Sequence, residues 1–289
     1  MPIIEPAIRP PSEANSFLLQ ITTGCSSNTC TFCGAYPIKK FQIKNLDEIN
    51  SDIEIAARKT PLMRKVFLMD GDALAISNEK LLPILKKLRS SFPKLTRISS
   101  YANGYNLTKR THEELIELKQ NKLSLIYMGL ESGSQAVLDN VNKKSSSTQM
   151  VEAVQKAKIA NIKSSVIVLL GLGGKKLSSQ HIKGTIQALG QMQPDTLSFL
   201  TLMLVPGTTL HQQAKEGSFN PLSQEEFLWE SYEILRGLNL NRTIFRSNHA
   251  SNYVPLEGRL PKDKNQLLQH LQESLQGQRP TRPEFMRGL

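Results

Sequence analysis

The chain of 289 residues carries a formal net charge of +11 at pH 7, and 39% of its residues are hydrophobic. This length and apolar content are enough for the core of one large α/β domain, alone or with a short appendage. Its apolar runs fall far short of a membrane span, and the N-terminus lacks the layout of a signal peptide. We therefore expect a cytoplasmic protein without membrane segments.

The positive charge is scattered over the chain in isolated lysine pairs. No basic stretch is interleaved with aromatic residues in the manner of a nucleic-acid-binding module. The charge could serve an anionic substrate or a nucleic acid, or it could belong only to solvated helix faces. Nucleic-acid binding is possible on this evidence but is not favoured. The pairs are Lys39-Lys40, Lys86-Lys87, Lys143-Lys144 and Lys175-Lys176.

Residues 1–16 are rich in proline and polar residues and predict an extended N-terminal arm. Beyond the arm, short apolar or β-branched runs alternate with longer segments of helical periodicity. Six such βα units in a row predict a parallel sheet that is buried on both faces. The predicted strands are 17–22, 65–69, 97–101, 123–128, 163–170 and 196–204. The predicted helices are 46–59, 77–91, 109–121 (capped at Thr108), 148–160, 178–193 and 223–235.

The three cysteines of the chain, Cys25, Cys30 and Cys33, lie within nine residues after the first predicted strand. Their odd number and the absence of a secreted-scaffold pattern disfavour disulfides. A structural zinc site normally has four protein ligands; a Cys3His site with one of the five histidines is possible, although none lies at zinc-finger spacing from the triplet. A cubane iron–sulfur cluster normally takes four cysteines. Three thiolates therefore imply a metal with one open coordination position.

Small or polar residues also follow each of the other predicted strands. Sites in parallel α/β folds lie at the carboxyl ends of the strands. Glycine at these places permits close approach of the backbone to a ligand, although a tight turn would favour it as well. The strand ends carry Asp70-Gly71-Asp72, Asn103-Gly104, Glu131-Ser132-Gly133, Gly171-Leu172-Gly173-Gly174 and Pro206-Gly207.

Over about residues 17–210, these motifs resemble those of the radical S-adenosylmethionine (radical SAM) enzymes. The resemblance implies an α/β fold, a partial (β/α)6 barrel at 17–237, between an arm at 1–16 and a short C-terminal extension at 238–289. It implies that Cys25, Cys30 and Cys33 bind a [4Fe–4S] cluster whose fourth iron is chelated by S-adenosylmethionine. The reduced cluster would release a 5′-deoxyadenosyl radical that abstracts hydrogen from a substrate. A flavodoxin or ferredoxin-type electron donor is the implied partner.

Two positions depart from the common pattern of that family. Four residues separate Cys25 from Cys30, giving CxxxxCxxC in place of CxxxCxxC. This longer loop resembles sequences related to oxygen-independent coproporphyrinogen oxidase. Asp70, Gly71 and Asp72 take the place of the family's Gly-Gly-Glu motif, which receives the methionine amino group. A carboxylate is kept, with a shorter reach.

The resemblance also assigns the later strand ends to the cofactor. Asn103 and Glu131 lie where polar side chains contact the methionyl or ribose part of S-adenosylmethionine. Val168, Gly171 and Gly173 belong to a segment that resembles the backbone meeting the adenine. Each of these assignments is implied by the resemblance alone.

The segment 241–253 is dense in hydrogen-bonding side chains. As a loop at the barrel mouth, it could bind a carboxylate or phosphate through Arg246. His249 could then donate or accept a proton, which makes this pair the catalytic candidates. The alternative is a polar surface strand and turn in which Arg246 is only paired with an acid on a helix. Residues 262–275 predict a terminal amphipathic helix, followed by a frayed tail.

The substrate is expected to be a small molecule that the sequence does not identify. No further cysteine is present to build a second all-cysteine cluster, which argues against sulfur insertion by a sacrificial cluster. One alternative is an RNA-modifying or methyl-transferring radical SAM enzyme. Another is a non-catalytic, zinc-stabilised nucleic-acid-binding protein, whose binding would depend strongly on salt.

Overall fold

A computed structural model of the protein describes residues 3–5, 7–36 and 39–288. The chain folds as two compact units, and each unit collects three separate segments of the sequence. The first unit comprises Met1–Asn28, Ala35–Met128 and Glu152–Ser164, and the second comprises Thr29–Gly34, Gly129–Val151 and Ser165–Leu289.

Strands and helices alternate along most of the chain, which confirms the predicted α/β class. The strands are β1 (Phe17–Gln20), β2 (Thr22–Thr23), β3 (Gln42–Ile43), β4 (Lys65–Met69), β5 (Arg97–Tyr101), β6 (Leu123–Glu131), β7 (Lys163–Leu170), β8 (Thr196–Thr201), β9 (Thr243–Arg246) and β10 (Glu257–Leu260). The helices are α1 (Leu46–Lys59), α2 (Asn78–Ser91), α3 (Gly104–Thr108), α4 (His112–Gln120), α5 (Gln135–Asn140), α6 (Ser147–Ile159), α7 (Gly174–Met192), α8 (Thr209–Lys215), α9 (Gln224–Gly237) and α10 (Lys264–Leu275).

The first unit is built on a parallel sheet in which β4 lies between β1 and β5, and β5 pairs with β6. The pairs Phe17↔Val66 and Lys65↔Arg97 set its register. Most residues of these strands are buried, as expected for a sheet covered on both faces. Because the strands are parallel, the loops after β1, β4 and β5 leave from the same edge of the sheet.

The second unit contains parallel pairs of β7 with β8 and of β8 with β9, followed by β10 antiparallel to β9. The rings of Phe199 and Phe245 pack edge to face, with centroids 5.0 Å apart. The β9–β10 hairpin has no counterpart among the predicted βα units. Its strands are short and partly polar, so the hydrophobic pattern gave no signal for them.

The prediction of one helix over 109–121 is wrong in its start. Thr111, not Thr108, is the N-cap, and it forms a capping box with Glu114 that begins α4. The guanidinium of Arg110 is buried and donates to the carbonyls of Leu74 and Ile76. This side chain holds the backbone in a turn between α3 and α4.

Two predicted strands are longer than the observed ones. The run 17–22 is divided, because β1 ends at Gln20 and Thr22 begins a separate antiparallel pair with β3. The run 196–204 ends at Thr201, as the next residue, Leu202, donates its N–H back to the Leu170 carbonyl. Apolar composition continues past both ends, which explains the longer predictions.

The N-terminal arm is more structured than the predicted extended segment. Residues Pro11–Glu13 form a 3-10 turn that places the fully buried Glu13 carboxylate inside the first unit. Glu13 Oε1 lies 2.7 Å from Arg97 Nη2 and accepts from the Tyr127 hydroxyl over 2.6 Å. A buried carboxylate requires such partners, and the arm is anchored by them.

The C-terminal tail is likewise tied down, in contrast to the frayed end predicted. Arg282 donates to the carbonyls of His249, Ala250 and Asn252 over 2.8–2.9 Å. The Arg287 guanidinium lies 4.0 Å from the centre of the Tyr253 ring. Two arginines thus hold the tail against the loop that follows β9.

We expect Tyr253 to titrate with a pKa raised to about 12, because its ring is buried and its hydroxyl donates to Glu284 over 2.8 Å. An unfolded tyrosine has a pKa of about 10. The resulting stabilisation is complete below that pH and is lost as the pH rises through the folded value. The tyrosinate absorbance of the wild type minus that of Tyr253→Phe measures this group. A difference curve with its midpoint near 10 would contradict the buried geometry.

The only tryptophan of the sequence lies on α9 of the second unit. Trp229 is 52% exposed and stacks on Tyr232 one turn later, with ring centroids 5.9 Å apart. The next residue, Glu230, is fully buried. Helix α9 thus carries an aromatic pair outside and a carboxylate inside.

Candidate active site

The Cys25 segment of the first unit is held by the loop that follows β4. Gly24 donates its N–H to Asp70 Oδ2 over 2.9 Å, and its carbonyl accepts from the Gly71 N–H over 3.1 Å. A Cβ atom at position 71 would lie 2.7 Å from Cys25 Cβ, so this approach requires glycine. Cys25 is therefore packed against the loop while remaining partly exposed.

Asp70 is fully buried and is neutralised by a lysine. Lys39 Nζ lies 2.7 Å from Asp70 Oδ2, with both side chains almost inaccessible to solvent. Gln20 Nε2 donates to the same oxygen over 3.2 Å. Removing one partner of such a buried pair is strongly destabilising. The first acid of the Asp-Gly-Asp motif is thus engaged in the interior of the first unit.

Asp72, the second acid of the motif, is also fully buried. Its Oδ2 accepts from Ser26 Oγ and from Asn106 Nδ2, each over 2.6 Å, and Asn106 also donates to Ser26 Oγ over 3.1 Å. Burial raises the pKa of the Asp72 carboxyl, and hydrogen bonds from Ser26, Asn106 and the Asn103 backbone oppose that rise. This carboxylate faces the cysteine segment.

Asn103 is the N-cap of α3, and its Oδ1 accepts from the Tyr105 N–H over 3.0 Å. Its side chain is partly exposed at the end of β5. Asn106, one turn further along, joins the Ser26–Asp72 pair and was not predicted. It lies inside a short helix whose polar residues gave no periodic signal.

The segment with the other two cysteines belongs to the second unit. Thr31 donates its N–H to the Val141 carbonyl over 3.0 Å and accepts from the Leu210 N–H over 2.9 Å. A Cβ atom on Gly34 would lie 2.6 Å from a methyl group of Val205, so glycine allows the chain to pass there. Cys30 and Cys33 are both partly exposed on this fixed backbone.

Cys30 lies in the electrostatic field of an ion pair. Burial raises the pKa of the Cys30 thiol, Lys143 opposes the rise, and Glu131 and Cys33 add to it. Lys143 Nζ is 3.1 Å from Glu131 Oε1, and both side chains are about 15% exposed. Glu131 has a φ of +59°, a region that residues other than glycine rarely adopt. Such backbone outliers cluster at functional sites.

The glycine loop after β7 requires glycine at its first position. Gly171 has a φ of +79°, and a Cβ atom there would lie 2.1 Å from the Phe227 ring. Its N–H donates to Glu230 Oε1 over 2.5 Å. Gly173 is the N-cap of α7, while the Val168 side chain is fully buried in the strand. Any ligand at Val168 would therefore meet its backbone.

A buried polar chain connects the loops after β6 and β7. Ser132 Oγ accepts from the Ser134 N–H over 3.1 Å and lies 2.8 Å from His181 Nδ1. His181 Nε2 is 3.5 Å from Glu230 Oε1, and Glu230 Oε2 accepts from Ser178. Burial lowers the pKa of His181, and Glu230 partly offsets this. The chain was not predicted, because its members are far apart in sequence.

The two catalytic candidates of the C-terminal region lie at the β9–β10 hairpin. Arg246 ends β9, and its Nε is 3.3 Å from Glu257 Oε1 on β10. His249 Nδ1 lies 2.9 Å from Ser251 Oγ, and burial together with Arg282 lowers its pKa. The Arg246 charge is thus paired with an acid across a hairpin. The predicted roles of both residues stay predictions.

Comparison of the sequence with known protein families identifies one match. The sequence model of the radical SAM superfamily matches residues 19–189, more than half of the chain. The protein belongs to the radical SAM superfamily. The family uses a [4Fe–4S] cluster and S-adenosylmethionine, and its enzymes need a reductant. No curated protein gives a significant sequence match.

Several solved structures share the fold at low sequence identity. Coproporphyrinogen III oxidase (HemN) from Escherichia coli has a TM-score of 0.56 and 17% identity, over 76% of this chain and 52% of its own. The methyltransferase TsrM from Kitasatospora setae has a TM-score of 0.55 and 15% identity, over 69% and 40%. Methylornithine synthase (PylB) has a TM-score of 0.54 and 14% identity, over 92% and 83%. This chain therefore spans about half the length of HemN and less of TsrM.

The three cysteines suit the family's cluster chemically. Three partly exposed thiols are the donors that an open iron–sulfur cluster takes. Among residues 3–5, 7–36 and 39–288, no three His, Cys, Asp or Glu side chains converge on a single metal ion. Cubane ligands bind different irons and need no such convergence. Within the same ranges, no helix is long and apolar enough to cross a bilayer.

Two lysines of the site were missed because they looked like surface charges. Lys39 and Lys143 each belong to a lysine pair that reads as solvated in the sequence. In the structure each is mostly buried against an acid, Asp70 and Glu131 respectively. Both acids had been assigned to the site. A buried acid needs a compensating cation, and this requirement was the signal that could have led to the lysines.

Proposed function

We propose that this protein is a radical SAM enzyme that abstracts hydrogen from a small-molecule substrate. The observation that carries the proposal is the Cys25, Cys30 and Cys33 triplet inside the segment matched by the superfamily. When bound, the reduced cluster with S-adenosylmethionine supplies a 5′-deoxyadenosyl radical for that abstraction. The three thiolates hold the cluster and leave its fourth iron open.

The methionyl end of S-adenosylmethionine suits the Glu131–Lys143 pair of the second unit. A methionyl group carries an ammonium and a carboxylate, and the pair offers the opposite charges 3.1 Å apart. We propose that Glu131 receives the ammonium and Lys143 the carboxylate, each exchanging one partner for another. The Lys143 charge also opposes the rise in the pKa of the Cys30 thiol.

The adenosyl part is proposed to bind along backbone edges. Gly171 and Gly173 leave no room for side chains of their own, and the buried Val168 presents only its backbone. Asn103 at the end of β5 is proposed to contact the ribose or methionyl part. The backbone of Asp70, Gly71 and Asp72 is proposed to contact the methionyl part.

We propose further roles for the C-terminal pair and for a redox partner. Arg246 would bind an anionic group of the substrate only by exchanging Glu257 for it, with His249 as the nearby proton carrier. A flavodoxin or ferredoxin-type protein is proposed as the electron donor. A cytoplasmic location is proposed because thiolates that bind a cluster must stay reduced.

Anaerobic reconstitution with iron and sulfide, followed by product analysis after dithionite reduction, tests the proposed function. We expect about four irons per chain from the cluster type and release of 5′-deoxyadenosine from S-adenosylmethionine. The variants Cys25→Ala, Cys30→Ala and Cys33→Ala should each lose the cluster. His270→Ala serves as the control, since this half-buried histidine of α10 lies far from the triplet in sequence and has no assigned role.

Three outcomes would overturn the proposal in different ways. S-adenosylhomocysteine as the main product would favour a methyl-transferring enzyme. Tight zinc with no affinity for S-adenosylmethionine and salt-dependent RNA binding would favour the zinc-stabilised protein. A Cys25→Ala variant that keeps the full cluster would show that the triplet is not the ligand set.

A further inference from the structure

The two acids that follow β4 accept hydrogen bonds from the residues on either side of Cys25. Asp70 accepts the N–H of Gly24, the residue before the cysteine, over 2.9 Å. Asp72 accepts the hydroxyl of Ser26, the residue after it, over 2.6 Å. Gly71, between the acids, lies against the cysteine itself. Three consecutive residues of one loop thus contact three consecutive residues of the other, one to one.

Both carboxylates are already engaged by this arrangement. Asp70 and Asp72 are each 0% exposed, and the hydrogen-bonded oxygen of each has two or three protein donors. Aspartate is one methylene shorter than the glutamate of the family's motif, so its carboxylate reaches less far from the backbone. The other oxygen of each acid, Oδ1, has no hydrogen-bond partner among the described residues but is fully buried, so a ligand would reach it only if the loop moved.

We propose that the side chains of Asp70 and Asp72 are positioning groups for Cys25, while only the backbone of this loop serves S-adenosylmethionine. This inference deepens the proposed function and rests on Cys25 being a cluster ligand. Outer hydrogen bonds that orient a metal ligand typically change metal affinity by about 10–100-fold when removed. Ser26 and Asn106 become positioning residues as well, since they complete the Asp72 contacts.

Ser26→Ala is the decisive variant, because it removes the hydroxyl that donates to Asp72 and leaves the charge of the protein unchanged. Asp72→Ala removes the acceptor, and Asp72→Asn is the conservative replacement that keeps an acceptor oxygen. Asp70 is avoided, because its loss would leave the buried Lys39 ammonium without its counterion and could unfold the chain. Thr29→Ala is the matched control: it removes an exposed hydroxyl from the same loop, and that hydroxyl donates to Asn142 instead.

The first measurement uses the protein without metal. Iodoacetamide alkylation is followed by peptide mass spectrometry, with Cys33 as the internal reference. We expect Ser26→Ala and Asp72→Ala to change the Cys25 rate several-fold relative to Cys33, and the double variant to add little to either. Asp72→Asn and Thr29→Ala should match the wild type. An unchanged Cys25 rate in Ser26→Ala would overturn the positioning role.

The second measurement uses the reconstituted protein. Iron release to a chelator should be at least about tenfold faster in Ser26→Ala and Asp72→Ala, while the Kd for S-adenosylmethionine of Asp72→Asn stays within threefold of the wild type. The inference fails if Asp72→Asn holds the cluster normally but loses S-adenosylmethionine, because the acid would then be a ligand of the cofactor. A wild type without any cluster refutes the proposed function instead, and the alkylation result still decides whether the acids position Cys25.

Discussion

Replacing Gly184 with alanine is expected to destabilise the protein by about 3 kcal/mol, at the upper end of overpacking effects. Gly184 lies on α7, where the helix passes directly over the loop after β6. A Cβ atom there would lie 2.7 Å from Ser134 N and 2.8 Å from the Gly133 carbonyl. The atoms that the Cβ would meet belong to the backbone of the loop, so no side-chain rotation can relieve the overlap.

Gly190→Ala provides the matched control on the same helix. A Cβ atom at position 190 meets no atom within 4 Å. Helix propensity then predicts a gain of about 0.5–1 kcal/mol in the free energy of unfolding. Urea unfolding followed by circular dichroism compares the two variants with the wild type. Equal effects of both variants would mean that α7 does not approach the loop closely.

Replacing Glu230 with alanine is expected to cost about 3 kcal/mol or more, because each stranded buried polar group costs about 1–3 kcal/mol. The variant leaves the Gly171 N–H and the Ser178 hydroxyl without their acceptor, and it removes the carboxylate 3.5 Å from His181 Nε2. Glu230→Gln keeps one acceptor oxygen and should lose about 1 kcal/mol by the same reasoning. Glu225→Gln, on the exposed face of α9, should stay within about 0.5 kcal/mol of the wild type.

Glu230→Gln should also change how the free energy of unfolding depends on pH under acidic conditions. His181 is buried with a lowered pKa, so the unfolded chain binds the proton more tightly than the folded one. Its contribution is complete above the unfolded pKa of about 6.5 and is lost as the pH falls through the folded pKa. Without the Glu230 charge that pKa drops further, and the loss should continue to lower pH. A Glu230→Gln urea midpoint that tracks the wild type between pH 7 and 4 would contradict this coupling.

Most of the strands and helices of the fold follow from patterns that the sequence displays locally. Strands β4, β5 and β7 and helix α1 begin and end at the predicted residues, because each is an apolar or amphipathic run between turn signals. The failures have tertiary causes. Arg110 interrupts a helix by bonding to distant carbonyls, and the buried Glu13 anchors an arm that looked extended.

The candidate site was predictable where residues cluster in sequence and unpredictable where they meet only in the fold. The cysteine triplet and the strand-end acids are local motifs. The direction in which Asp72 points is not local, since it depends on Ser26 and Asn106 at separations of 46 and 34 residues. Lys143 and the His181–Glu230 contact were likewise not predicted, because their partners are distant in sequence. The sequence shows that a buried charge needs a partner, but it does not show which residue that partner is.

The exposed Trp229 gives the protein a built-in optical reporter. As the single tryptophan, it makes the intrinsic emission spectrum a signal from α9 alone, while the far-ultraviolet ellipticity averages over both units. Coincident melting curves from these two signals would indicate one cooperative transition, and separated curves would resolve the units as distinct folding blocks. Quenching by a soluble agent such as iodide would further report whether a bound macromolecule covers this face.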